Sequence, residues 1–175
     1  KELIQLQALR LIAGQRADDW GWGYASAPMD VKEVPNLLKK LRDRKVSLDQ
    51  WRSEAFKGHA FDPGRSDNSN TQFAVLALWV AAQRHDVPIE RTIALVEQRF
   101  RTTQLPAGPD PGQHMLNLEG AWPYNPETGT SSSVWPTMTA AGLLGLAVAH
   151  GVTTDPAKQK QNPLDDRNIQ LGLAM

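Results

Sequence analysis

The sequence of 175 residues contains no cysteine. That absence excludes a disulfide framework, a thiolate nucleophile, a cysteine-held iron–sulfur cluster and any zinc site that needs thiolate ligands. It does not indicate a cellular compartment, because a chain without cysteine is compatible with reducing and with oxidising surroundings. The chemistry of any site must therefore come from carboxylates, imidazoles, hydroxyls, amides or aromatic rings.

The chain also lacks an excess of either charge, since 19 basic side chains balance 19 acidic ones and the net charge is +0. Without long-range attraction to phosphate, neither nucleic acid nor an anionic membrane surface is expected as a partner. Long hydrophobic runs are missing too. No apolar stretch, Ala140–Ala149 included, approaches the ~20 residues that a membrane-spanning helix needs. We therefore expect no transmembrane segment.

Alternation of apolar and polar residues, the signature of strands, is never sustained. Helical periodicity predicts an all-α chain with six helices and a seventh helical stretch. The predicted ranges are Glu2–Ile12, Val34–Arg44, Leu48–Phe56, Thr71–Arg84, Pro88–Thr102, Val134–His150 and Asp165–Met175. Thr71–Arg84 is apolar on nearly all sides, so a fully buried helix is expected, whereas Pro88–Thr102 is amphipathic with Arg99 on its polar face. Both ends of the chain lack capping signals, which predicts one domain over residues 1–175 that belongs to a longer protein.

An internal repeat is visible when Thr71 is aligned with Thr139, an offset of 68 residues. Small residues then meet small ones and large residues meet large ones, as in Ala74 with Gly142, Leu78 with Leu146 and Val80 with Val148. A second similarity lies upstream: helices ending near Gln15 and Gln104 are each followed by a Trp-x-Tyr loop. Chance agreement between two apolar helices is the alternative explanation. The repeat hypothesis predicts helical hairpins that pack side by side.

The segments that carry this pattern are Trp20-Gly21-Trp22 after Gln15, Gly120-Ala121-Trp122 after Gln104, and the inner helices that begin near Thr71 and Thr139. In this pattern the chain resembles the terpenoid cyclase and protein prenyltransferase family. The resemblance implies an α/α toroid, here an incomplete ring of helical hairpins. It also implies an apolar ligand of isoprenoid type in a central cavity.

The sequence departs from the family's catalytic machinery. Cyclases of the squalene type use an Asp-x-Asp-Asp cluster, but the only adjacent aspartates, Asp18-Asp19 and Asp165-Asp166, have no third aspartate at that spacing. The zinc site of the prenyltransferases needs a cysteine that this chain lacks. No two histidines stand four residues apart as metal ligands on a helix would. We therefore expect no metal and no cofactor.

Asp67 is the candidate catalytic residue. It precedes an inner helix, where a buried carboxylate at the mouth of a cavity can serve as an acid. The alternative is that Asp67, Ser69 or Asn70 caps the helix.

Aromatic residues near the hairpin ends are candidate ligand-binding residues, because π faces accept hydrocarbon and positive charge. They are Trp20, Trp22, Tyr24, Trp122, Tyr124 and Trp135. Their alternative role is structural stacking on the hairpins. Two other features have both a functional and a structural interpretation. His114 and Met115 lie in a loop that either carries function or is merely mobile, and the basic cluster from Lys39 to Lys45 is either a phosphate site or a solvated helix face.

Three functions are compatible with these residues. The first is a cyclase-like or prenyltransferase-like domain that binds an apolar small molecule. The second is a non-catalytic toroid that binds another protein, and the third is a carbohydrate-active α/α barrel in which exposed aromatic rings stack on sugars.

Overall fold

The computed structural model describes residues 1–57, 61–106, 118–126 and 134–175. Within these ranges the chain is helical and its only β contacts are two isolated bridges, which confirms the all-α prediction. The α-helices are α1 (Glu2–Gly14), α2 (Val34–Arg42), α3 (Leu48–Ala55), α4 (Asn68–His85), α5 (Glu90–Thr103), α6 (Pro136–Val152), α7 (Pro156–Gln159) and α8 (Arg167–Leu173). None of these helices has both the length and the apolar character to cross a bilayer.

Two helix pairs form the centre of the structure. Helix α1 packs on α4, α5 packs on α6, and α4 and α6 pack on each other. The start of α4 is tied to the loop before α6, since Asn68 donates from its backbone to Tyr124 O (2.9 Å) and from Nδ2 to Pro123 O (2.7 Å). The inner helices α4 and α6 therefore begin at the same end of the structure. We call α1 with α4 unit 1, and α5 with α6 unit 2.

The segment between α1 and α4 forms a helical pair, α2 and α3, that packs on α1. Capping boxes at Asp30 and Ser47 start its two helical segments. Leu37, Leu38 and Leu41 are buried, and Trp51 closes the pair through Nε1–H to Leu37 O (2.9 Å). Because these leucines take the inward face of α2, the basic cluster is the solvated face, as the structural interpretation predicted.

Helix α4 corrects the prediction of a fully buried helix. Val75 and Leu78 are completely enclosed, but Phe73 is 63% exposed and Val80 is 47% exposed. Leu76 and Trp79 are exposed as well. The helix is apolar on nearly all sides, but on one side the described part of the chain supplies no neighbouring element to cover these residues.

Helix α5 corrects a second prediction. Arg99, placed by periodicity on the polar face, is 0% exposed and lies among buried residues of α5.

The C-terminal helical stretch is divided into a 3₁₀ turn at Pro163–Asp165 and the helix α8, which starts at the cap Asp166 and packs on α6.

Candidate ligand-binding site

The loops that follow Gln15 and Gln104 have the same hydrogen-bond pattern. Gln15 Nε2 donates to Trp20 O (2.9 Å) and to Thr92 O at the start of α5 (3.2 Å). Gln104 Nε2 donates to Gly120 O (2.9 Å) and to Asn168 O at the start of α8 (2.8 Å). Each glutamine thus holds its own loop and the first turn of the next outer helix, so the loop repeat predicted from the sequence is present in three dimensions.

The tryptophans of the two loops are also equivalent. Trp22 Nε1–H donates to Leu11 O, and Trp122 Nε1–H donates to Phe100 O, both at 2.7 Å and both to the residue four before the glutamine. Both indoles are enclosed in the protein. This geometry leaves Trp22 and Trp122 no surface for a ligand, and their role here is to close the hairpin.

The residue two positions before each buried tryptophan has a left-handed backbone. Gly120 has φ 89° and Trp20 has φ 59°. Unit 2 meets this requirement with glycine, which adopts positive φ without strain, whereas unit 1 uses a half-buried tryptophan. The Trp20 carbonyl accepts the hydrogen bond from Gln15, so the Trp20 backbone takes part in holding the loop.

Three sides of α6 face neighbouring helices. A Cβ on Gly145 would meet the Phe100 ring of α5 closer than 3.0 Å, and Leu143 contacts Gly172 of α8. Ala141 and Val148 are buried on the side turned away from α8, where helical geometry places α4. The remaining side of α6 carries Ala140, Leu144, Ala147 and Gly151, and these residues are exposed or half-buried.

With the offset of 68 residues, the equivalent side of α4 can be identified. Its members on α4 are Gln72, Leu76, Trp79 and Gln83, and they too are exposed or half-buried. We call these eight positions the front face. It lies opposite the outer helices and is formed by two inner helices that start at the same end. Its apolar members, led by Leu76, Trp79 and Leu144, form a surface that a hydrocarbon can cover.

Asp67 lies at the start of α4 and is buried. Its Oδ1 accepts from Asn70 N (2.6 Å) and its Oδ2 accepts from Asn70 Nδ2 (2.7 Å). These bonds satisfy a free N–H of the first turn, which confirms the capping alternative. Asp67 therefore has a structural role at the start of α4.

Tyr24 and Tyr124 occupy equivalent positions two residues after the buried tryptophans, and their hydroxyl oxygens lie 3.1 Å apart. The hydrogen bond with Tyr24, with a smaller effect of partial burial and of Asp67, raises the pKa of Tyr124 to about 12. With Arg65, Ser66 and Asp67, the two tyrosines line an open pocket of about 390 Å³. The Tyr124 phenol is therefore neutral at physiological pH, and both hydroxyls can exchange hydrogen bonds with a polar group.

Trp135, the remaining predicted aromatic residue, is exposed at the start of α6. With the offset of 68 residues, Trp135 is equivalent to Asp67 of unit 1. The antiparallel bridges agree with this assignment, because the bridge Trp22 to Asp67 in unit 1 and the bridge Pro123 to Val134 in unit 2 have the same register. His59, His114 and Met115 lie outside the described residues. Among the residues that the structure does describe, no group of three or more carboxylates and histidines is placed to hold a metal ion.

A buried charge network links the two units and was missed by sequence reasoning. Arg99 Nη1 donates to Asp19 O (2.8 Å) and lies 3.3 Å from Asp19 Oδ2, while its Nε donates to Asn68 Oδ1 (3.1 Å). Burial alone would raise the pKa of Asp19, but hydrogen bonds from Ser66 and Gly21 and the charges of Arg99 and Arg16 lower it below its usual value. The adjacent Asp18-Asp19 pair was the one signal in the sequence.

Comparisons with protein-family models, curated proteins and solved structures gave no match.

Proposed function

We propose that this chain is the part of an α/α toroid that binds an apolar ligand of isoprenoid type on the front face of α4 and α6. The observation that supports this function is the front face itself. Two inner helices pack side by side with outer helices behind them, and on the opposite side Leu76 and Trp79 are exposed while Leu144 is half-buried. Apolar surface left in water favours a ligand by about 25 cal/mol for each Å² that it covers.

The proposed role is binding rather than catalysis by the residues described. Asp67 acts as a helix cap, and each of its carboxylate oxygens accepts a hydrogen bond from Asn70. Tyr24 and Tyr124 offer hydroxyl groups at the end of the inner helices, where the polar end of an isoprenoid alcohol can form hydrogen bonds. Trp135 adds an exposed ring at the same end.

Calorimetric titration with polyprenyl alcohols of increasing length tests this proposal. We expect saturable binding that strengthens with chain length, and a loss of at least about tenfold in affinity in Trp79→Glu, because a charge on the front face must be desolvated by the ligand. Leu164→Glu is the matched control, since Leu164 is also an exposed apolar residue but lies on the 3₁₀ turn after α7. Absence of saturable binding by the wild-type chain, or equal affinity in Trp79→Glu, would disprove the function.

Mass spectrometry of lipids extracted from the purified protein provides an independent measurement. Recovery of an isoprenoid that is depleted in Trp79→Glu supports the proposal. An Asp67→Asn variant with unchanged binding is expected, because asparagine caps a helix about as well as aspartate.

A further inference from the structure

The open pocket beside Tyr24 and Tyr124 is much larger than the single hydroxyl of an isoprenoid alcohol. Its volume is about 390 Å³, which lies within the range of small-molecule sites, about 300–1,000 Å³. A water-sized group takes up only about 30 Å³. The pocket therefore has room for a bulkier polar group than one hydroxyl at the end of a polyprenyl chain. We call it the tyrosine pocket.

Backbone hydrogen bonds hold the walls of the tyrosine pocket in place. Asp67 N donates to Trp22 O (3.1 Å), which joins the segment before α4 to the loop of unit 1. Asn68 N donates to Tyr124 O (2.9 Å), which joins the start of α4 to the loop of unit 2. These bonds lie within the protein and do not depend on a ligand. A site that is held in this way loses little conformational entropy on binding.

The charged side chains of the tyrosine pocket favour an uncharged ligand. Among the described residues that line it, Arg65 and Asp67 are the charged ones, and their charges are opposite. A phosphate would meet the carboxylate of Asp67, and an ammonium group would meet the guanidinium of Arg65. Contacts between like charges select against a ligand. A neutral polar group avoids both of these contacts.

The two phenols have hydrogen-bonding capacity left for such a group. Each hydroxyl has one O–H donor and two lone pairs, and the contact between Tyr24 and Tyr124 uses one donor and one lone pair. Three lone pairs of the two phenol oxygens therefore remain as acceptors. A ligand hydroxyl can donate to them without bringing a charge, whereas a phosphate dianion has no proton to donate.

Tyr24 also offers an apolar surface to a ligand. Its side chain is 83% exposed, and tyrosine combines an apolar ring with a polar tip. Ala25 and Pro63 add apolar surface to the same pocket. A sugar ring has the matching combination, because the C–H groups on its faces can cover apolar surface while its hydroxyls form hydrogen bonds at the edge.

We propose that the tyrosine pocket binds an uncharged sugar ring, and that this ring is the polar end of the ligand whose hydrocarbon chain lies on the front face. The inference rests on the proposed function and narrows its ligand to a glycosylated isoprenoid. The size of the pocket requires more than a hydroxyl, and the opposite charges of Arg65 and Asp67 disfavour a phosphate or an amine.

Calorimetric titration with farnesol, its monophosphate and its β-linked glucoside, galactoside and mannoside tests the proposal. At least one glycoside should bind about tenfold or more tightly than farnesol, because its additional hydroxyls form hydrogen bonds in the pocket. The monophosphate should bind no more tightly than farnesol. Tyr24→Ala should reduce the advantage of the glycoside to less than about threefold. Phe73→Ala is the matched control, since Phe73 is also an exposed aromatic residue but does not line the pocket.

Tyrosine nitration locates the sugar without an isoprenoid chain, because Tyr24 and Tyr124 are the two tyrosines of the sequence. The methyl glycoside of the preferred sugar, at millimolar concentration, should slow the nitration of Tyr24 by tetranitromethane, as measured by peptide mass spectrometry. N-acetyltyrosinamide in the same solution controls for loss of the reagent.

Equal binding of farnesol and all three glycosides would overturn the proposal. So would tightest binding by the monophosphate, a glycoside advantage that Tyr24→Ala leaves intact, or unchanged nitration of Tyr24. Saturable binding of farnesol that Trp79→Glu weakens would still support the proposed function in each of these cases, so the two failures are distinct.

Discussion

The hydroxyl oxygens of Tyr24 and Tyr124 lie 3.1 Å apart, although 100 residues separate them in the sequence. Each follows the buried tryptophan of its own unit by two residues. Their contact is therefore a direct product of the repeat, and it joins the two loops at the end where the inner helices begin.

Removal of the Tyr24 hydroxyl should lower the pKa of Tyr124. The hydrogen bond between them is the largest cause of the raised value of about 12, so Tyr24→Phe should shift the pKa toward the ordinary value of 10.0. The chain has only two tyrosines, so the variant leaves a single phenol to follow by tyrosinate absorbance. The same titration in urea gives the unfolded reference. An unchanged Tyr124 titration in the folded variant would contradict the assigned contact.

The glycines of α6 should tolerate no side chain where the helix meets its neighbours. A Cβ on Gly142 would approach the Trp122 ring, and one on Gly145 the Phe100 ring, closer than 3.0 Å. Gly142→Ala and Gly145→Ala should each lower the free energy of unfolding by about 1–3 kcal/mol in urea denaturation.

Gly151→Ala is the control for that pair. No atom lies within 4 Å of a Cβ there, so alanine should stabilise the helix by about 0.4–1 kcal/mol. Equal effects at all three positions would show that close packing is not what requires glycine in α6.

Gln15→Ala should destabilise the protein more than substitution of any exposed glutamine. The buried Gln15 donates to Trp20 O and Thr92 O and accepts from Arg52 Nη2 (2.6 Å). Its loss leaves buried polar groups without partners, at a cost of about 1–3 kcal/mol each, more where the group is charged. Thermal unfolding measures the effect, and Gln7→Ala, on the exposed side of α1, provides the baseline. Similar melting temperatures for the two variants would show that the hydrogen bonds of Gln15 do not hold the loop.

Asp19 should make folding sensitive to acid. Its pKa is lowered in the folded state, so its stabilising contribution is present above the unfolded value of about 3.9 and is lost as pH falls through the folded pKa. Asp19→Asn should therefore reduce stability at neutral pH and flatten the acid limb of a stability-against-pH curve.

The neighbouring Asp18→Asn is the control for this acid dependence. The Asp18 side chain is 66% exposed and pairs with Arg16 at the surface, so its substitution should change little. If Asp18→Asn altered the acid limb as much as Asp19→Asn, the buried pair of Asp19 and Arg99 would not be its cause.

Local signals were sufficient to predict much of this architecture. The structure contains each of the six helices that periodicity predicts, with boundaries that differ by a few residues. The offset of 68 predicted the two equivalent inner helices. Gln15 and Gln104 could be paired because the same residue types recur before both loops. The capping role of Asp67 was also accessible, since a cap needs only the residues of its own first turn.

The sequence by itself determined that the chain is helical, that its helices come in related pairs and that two Gln-Trp loops separate them, because helix propensity, caps and periodicity act over a few neighbouring residues. Tertiary structure alone decided which of the apolar residues are covered. Phe73 and Val148 are both apolar residues of an inner helix, but only Val148 has a helix packed against it. The same holds for charge: Arg99 is buried because Asp19, 80 residues away in the chain, lies beside it. Burial depends on neighbours brought from far along the chain, and no local pattern encodes them.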